Sequence, residues 1–364
     1  MQYDKLMKRT AIYCLVFVLT AMSAMLYYCA NKIIVVADVA QDEVAQNAEN
    51  GDVGEKKPVE NASVEDENHI DIDRSSQNTN YFCIPMPADV RVEEVVIENH
   101  YMDRELWVII EPKEMDGKES FYEENGVYGN CTDVLTGHYE AEKHRISLRF
   151  ELTDVYEYHS IFEDNTLYVE FMTPKEAYDK VIVIDPAYGM EDAGVTVDGV
   201  KSKDLTLEIA KALKAKLDET DIKVYYTRMD DSNPSAESRV QLATDTKADM
   251  LIRIEIGSAQ SSKQYGTEAV YNSRFFIPGF GSVELADILE KEVVTAISGK
   301  ANGLLEASDQ DKVINGATVP AATIKVGYLT NGQEFILLQR EDYIQRIAEG
   351  IYQSVIKAYE EQNK

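Results

Sequence analysis

The sequence predicts an α/β fold: a twisted, mostly parallel sheet with helices on both faces, preceded by a small β-sandwich-like domain and an N-terminal transmembrane helix. Three observations carry that expectation. From residue 180 onward, short apolar runs such as "VIVID" alternate with amphipathic stretches such as "DLTLEIAKALKAKLDE", and strands joined by crossover helices form parallel sheets. Residues 81–178 instead show only short β-branched and aromatic runs between polar turns. Thr10 to Ala30 carries no charge, and a stretch of about 20 apolar residues is long enough to cross a hydrocarbon core.

Residues 1–9, "MQYDKLMKR", place Lys5, Lys8 and Arg9 ahead of the apolar span 10–30. A basic flank stays in the cytoplasm, so the rest of the chain is expected to face outward from the cell membrane as a single-pass protein. The span exceeds the ~7–15 residues of a signal-peptide centre. Tyr27 and Tyr28 also stand where a cleavage site wants small side chains. A cleaved signal is the competing reading. Residues 31–80 are rich in Asp and Glu, with no sustained apolar period, and read as an acidic disordered linker.

The chain has 65 acidic and 36 basic residues, a net charge of −29. That balance excludes nucleic acid as a partner, since phosphate contacts need a basic surface. Cys14 and Cys29 lie in the span. Cys83 and Cys131 lie beyond it, where a disulfide is chemically permitted but not deducible from spacing.

In the β-rich part, "VRVEEVVIE", "ELWVIIEP", "HRISLRFEL" and "TLYVEFMTP" read as strands. "RISLRFEL" and "NTLYVEFM" resemble the AMIN-type domain that often precedes cell-wall amidases and localises them to peptidoglycan. An unrelated sandwich would show the same strand pattern. In the α/β part (residues 180–364), "VIVID", "IKVYYTR", "ADMLIRIEI" and "ATIKVGYLTN" read as strands. Leu205, Ile209, Leu213 and Leu217 recur on one helical face, and Tyr343, Ile347, Ile351 and Val355 on another.

The ordered fragments "VIVIDPAYG", "KDLTLEIAKALKAKL", "VYYTRMDD", "ESRVQLA", "ADMLIRIEI", "GTEAVY", "VPAATIKVGYLTN" and "YIQRIAEGI" resemble the zinc-dependent N-acetylmuramoyl-L-alanine amidases of bacterial cell walls. In that family the loop after the first strand reads Asp-Pro-Gly-His-Gly and its His binds zinc; Tyr188 stands at that position here. The resemblance places the second ligand, a Glu, at Ser202 and the third, a His, at Glu255. The catalytic Glu falls at Lys325. Asp185, Pro186, Gly189, Thr227, Arg228, Gly266, Gly327 and Asn331 keep the family pattern. The resemblance thus implies a degenerate member that has lost its zinc, with no catalytic residue and no other cofactor expected. All five histidines precede residue 181, and Tyr, Ser and a charged lysine are poor substitutes for imidazole and carboxylate ligands. A displaced site would have only oxygens from Asp185, Glu191, Asp192 or Glu255, which suit harder ions than zinc.

Each position has a plain reading beside the functional one. Ser202 is a lysine-activated nucleophile or a residue of a helix start. Tyr188 stacks on a sugar or fills the vacated metal pocket. "SRFFIPGFG", with Phe275, Phe276 and Phe280, is an aromatic contact loop or a cover over the next helix. The period of two puts Arg253 and Glu255 on one strand face. Because the family's matching residues converge on one zinc, the resemblance implies that Glu255 and Lys325 converge as an ion pair, with Tyr188 and Arg253 nearby and Arg253 and Asp185 as binding residues. The expected function is peptidoglycan binding, or docking to and regulation of a cell-wall hydrolase, with membrane contact through the N-terminal helix. An active muramoyl-L-alanine amidase using a non-standard site is the alternative.

Overall fold

A computed structural model describes residues 68–75 and 79–362. The expected anchor at 10–30 and most of the expected linker lie outside these residues. Among the described residues no helix is long and apolar enough to cross a membrane.

The β-rich part contains β1 (Asn68–His69), β2 (Ile72–Asp73), β3 (Phe82–Pro85), β4 (Val95–His100), β5 (Glu105–Ile110), α1 (Phe121–Glu124), β6 (Val127–Gly129), β7 (Val134–Glu142), β8 (Arg145–Leu152), β9 (Glu157–Glu163) and β10 (Thr166–Met172). They form two five-stranded sheets, ordered β1-β7-β8-β5-β4 and β2-β6-β3-β10-β9. Alternation drives the arrangement: in β8, Ile146, Leu148, Phe150 and Leu152 are buried while the residues between them are half exposed. One apolar cluster, including Phe82, Ile97, Val108, Phe150 and Val169, lies between the sheets. The expected linker ends earlier than its composition suggests. Asn68–Asp73 adds an edge strand to each sheet because Ile70 is buried and its N–H donates to the Gly137 carbonyl at 2.9 Å.

The α/β part follows the short helix α2 (Pro174–Ala177). It comprises β11 (Val181–Pro186), β12 (Thr196–Val197), β13 (Val200–Lys201), α3 (Ser202–Leu217), β14 (Lys223–Tyr226), α4 (Ala236–Asp245), β15 (Met250–Gly257), β16 (Thr267–Tyr271), α5 (Ser282–Ile297), β17 (Ala301–Glu306), α6 (Lys312–Gly316), β18 (Ala321–Tyr328), α7 (Gly332–Leu338) and α8 (Glu341–Gln362). The six-stranded sheet runs β14-β11-β15-β18-β16-β17. Its first four strands are parallel, β16 is antiparallel to β18, and β17 runs parallel to β16. β11 is buried along its whole length, as a central strand covered on both faces must be. Ile182 and Ile184 face α3, α5 and α8. Val181 and Val183 face α4 and α6, together with Tyr101, Met102 and Val155 of the β-rich part. Asp185 continues this second face to the carboxyl end of the sheet.

Candidate functional site

The chain leaves β11 through Ala187, Tyr188, Gly189 and Met190, and the last three all have positive φ: 69°, 143° and 46°. For Tyr and Met such backbone is strained. Gly189 is required outright, because a Cβ there would lie 2.0 Å from the Ser232 carbonyl oxygen. Buried cations hold the loop in this shape. Arg228 donates to the carbonyls of Pro186 (2.9 Å) and Ala187 (3.0 Å). Arg239 donates to that of Tyr188 (3.1 Å), and Lys203 to that of Met190 (2.8 Å). Lys203 also pairs with Asp231 at 2.6 Å. Burial and the neighbouring Arg239 pull the Arg228 guanidinium down to about 10. Arg228 and Arg239, remote in sequence from the loop, therefore serve to build it.

Asp185 is fully buried. It accepts from the Thr227 hydroxyl at 2.5 Å and forms ion pairs with both Arg239 and Arg253. Burial alone would raise its carboxyl, but the charges of Arg253 and Arg239 outweigh it and hold the group at about 2. Arg253 reaches in the other direction as well, donating from Nε to Glu255 Oε1 at 2.9 Å. One guanidinium thus joins two carboxylates, in a fork geometry that a lysine could not supply.

The expected Glu255–Lys325 ion pair is not formed. The two residues are register partners on neighbouring strands, so the expectation of convergence in the backbone holds. Arg253, however, occupies Glu255. Lys325 turns to Glu268 on β16, with Nζ 3.2 Å from Oε1, and Tyr328 donates to the other oxygen at 2.8 Å. The antiparallel strand β16 brings Glu268 directly opposite Lys325 and offers it a closer partner.

Ser202 is the first residue of α3 and is fully buried, its hydroxyl donating to the Val195 carbonyl at 3.2 Å. The nearby lysine, Lys203, is spent on Met190 and Asp231. Ser202 is therefore a residue of the helix start, without an activating base. Tyr188 comes beside it: a Cβ on Gly194 would lie 2.7 Å from the Tyr188 ring and 3.0 Å from Ser202 Cβ. Burial, reinforced by Glu255, pushes the Tyr188 phenol well above its ordinary range.

Tyr188, Ser202, Glu255 and Lys325 thus gather at the carboxyl end of the parallel strands, where open α/β sheets hold their ligands. Arg239, Glu268 and Glu334 complete this end and were not foreseen from sequence. Glu334 accepts from the backbone N–H groups of Tyr328 (2.7 Å) and Gly266 (2.9 Å) and fastens β18 to the start of β16. Burial raises its carboxyl. Among the described residues, no group of three or more His, Cys, Asp or Glu side chains is arranged to hold a metal ion. Cys83 and Cys131 are both free. Burial raises the Cys131 thiol and Cys83 raises it further, so the two lie near each other without a bridge.

The fold and site define an α/β domain with its polar cluster at the strand carboxyl ends. A family model described as N-acetylmuramoyl-L-alanine amidase matches residues 182–357; these residues form a domain of that family. Among relatives, YqiI of Bacillus subtilis (strain 168) is 28% identical over 182 residues, covering 50% of this chain and 86% of YqiI. The N-acetylmuramoyl-L-alanine amidase LytC of the same organism is 24% identical over 180 residues, covering 50% of this chain but 36% of LytC. The chain therefore spans only about a third of LytC. The crystal structure of an N-acetylmuramoyl-L-alanine amidase from Clostridium difficile 630 is 31% identical, covers 50% of this chain and 97% of that one, and has a TM-score of 0.47.

Proposed function

We propose that the chain is a membrane-anchored, outward-facing protein whose amidase-type domain binds peptidoglycan and does not hydrolyse the muramoyl-L-alanine bond. One observation carries the reading: Arg253 occupies Glu255, the only carboxylate at the three positions where the family resemblance places zinc ligands. A zinc hydrolase needs three donors and a free coordination position for water. Here the corresponding residues are a phenol raised by burial, a serine hydroxyl bonded to a carbonyl, and a carboxylate held by a guanidinium. This donor set does not fit zinc. The position of the catalytic Glu carries Lys325, already paired with Glu268.

Binding is supported by what is retained. The loop keeps positive φ at residues 188–190 with its carbonyls held by Arg228, Arg239 and Lys203, and a chain with no ligand to receive would have little reason to keep strained backbone at a strand end. Co-sedimentation of the detergent-solubilised full chain with insoluble peptidoglycan tests the reading. Binding that free muropeptides displace is the expected result. A chain that stays in the supernatant overturns it and leaves regulation of a cell-wall hydrolase by direct docking as the next reading to examine.

A further inference from the structure

The loop after β16 leads away from the site, because β16 is antiparallel to β18 and ends where β18 begins. Its roots are pinned. Asn272 donates to the Ala317 carbonyl at 3.0 Å and accepts from the Arg274 N–H at 2.9 Å. Phe280 is buried in the core, and the Gly281 N–H donates to Glu284 at 3.0 Å. Between these roots the tip Phe275–Gly279 is turned outward: Phe275 is 43% exposed and Phe276 86% exposed, followed by Pro278. The tip borders an open recess formed by the segments that enter β15 and β18 and by the end of α8. Of the two readings of this stretch, Phe280 serves as the cover over α5 and the tip does not.

We propose that this tip rests in the lipid–water interface of the bilayer that holds the chain's own N-terminal anchor; the inference rests on the membrane-anchored reading above. Two observations select the bilayer as occupant. The first is chain length. Between the expected anchor at 10–30 and Asn68 lie only residues 31–67. In a chain anchored there, contact with that membrane is intramolecular, so a small apolar contact suffices. The second is polarity of the sheet. The tip lies at the amino ends of β15 and β18, and the polar cluster lies at their carboxyl ends. The eight residues of β15 separate the two by about 26 Å. A tip seated on the bilayer points the cluster away from it, toward the space where an extracytoplasmic polymer would lie. Charge does not drive the contact. With 65 acidic against 36 basic residues, the chain is repelled by an anionic surface, and the aromatic tip must carry the attraction.

The test uses the full chain reconstituted in phosphatidylcholine vesicles. Phe276→Trp adds an indole to a chain whose native tryptophan is Trp107 alone, at an exposed position where folding is not at risk. The expected result is that the emission gained over wild type is shifted to the blue and quenched by brominated acyl chains. Adding anionic lipid should weaken the quenching, and salt should not. Gained emission that is solvent-like and unquenched overturns the inference. So does blue-shifted, unquenched emission that depends on protein density, which assigns the tip to a second copy of the chain. Flotation in alkaline buffer separates the two failures. A chain that leaves the vesicles overturns anchoring together with the tip contact; a chain that floats with an unquenched indole overturns the tip contact alone.

Discussion

Arg253 sits between Asp185 and Glu255 and gives the site its fixed positive charge. Removing one partner of such a buried set typically costs ~3–5 kcal/mol, because the other charge is stranded. Arg253→Met is therefore expected to lower stability by that order in urea unfolding. Arg253→Met with Glu255→Gln should cost less than the sum of the single changes by ~1–3 kcal/mol; additive effects would contradict the pairing. Lys325→Met should cost only ~1 kcal/mol, since Lys325 is 28% exposed and its pair with Glu268 is partly solvated. Asp185 gives a pH dependence of definite sign. Its carboxyl is near 3.9 when unfolded and about 2 when folded. Its contribution is thus complete above about pH 5 and is lost as pH falls toward 2, roughly 2–3 kcal/mol in all. Asp185→Asn should flatten the stability profile across that window, apart from its general cost. The alternation in "MLIRIEI" was enough to place Arg253 and Glu255 on one face. It could not say which cation takes which carboxylate, because Glu268 enters from a strand far away in sequence.

At the scale of elements, the long periodic segments were legible and the short ones were not. "VIVID" and "ADMLIRIEI" are continuous apolar runs, as central strands buried on both faces require, and α3 and α8 announce themselves by four-residue recurrence of Leu, Ile and Val. β17, "ANGLLE", is a half-exposed edge strand with Gly303 at a φ of 97°, so it has neither a clean alternation nor a solid apolar run. β1 and β2 are two residues each, and their acidic surroundings masked the alternating Ile70 and Ile72. Glu334 could not be recognised as an anchor, because its partners are backbone N–H groups that leave no trace in composition. Glu334→Ala strands two buried donors and should cost roughly 2 kcal/mol or more, whereas Glu334→Gln, which keeps one acceptor oxygen, should cost less. Gly189→Ala is expected to be worse than either. Its Cβ would meet the Ser232 carbonyl at 2.0 Å, and thermal unfolding should show a drop of several degrees.

At the scale of the molecule, the β-rich part is fastened to the edge of the α/β sheet. The Tyr101 hydroxyl donates to the Tyr226 carbonyl at 2.9 Å and accepts from the Tyr226 N–H at 3.2 Å. It thereby closes backbone groups of edge strand β14 that would otherwise invite another strand. Glu157 accepts from the Tyr225 hydroxyl at 2.5 Å and pairs with Lys223 at 3.0 Å, and Arg104 pairs with Asp245 at 2.5 Å. Calorimetry of the wild-type chain should therefore show one cooperative transition, and Tyr101→Ala with Glu157→Ala should split it in two. This joint could not be read from sequence, since it depends on a turn at residues 100–104 meeting a strand more than a hundred residues later. The central claim, an amidase fold whose site cation belongs to its own chain, meets its most direct test in hydrolysis. The full chain, supplied with zinc and incubated with purified peptidoglycan, is expected to release no new L-alanine amino groups above the background of a chain-free sample. Zinc-dependent release that grows with time and is abolished by a chelator would contradict the account.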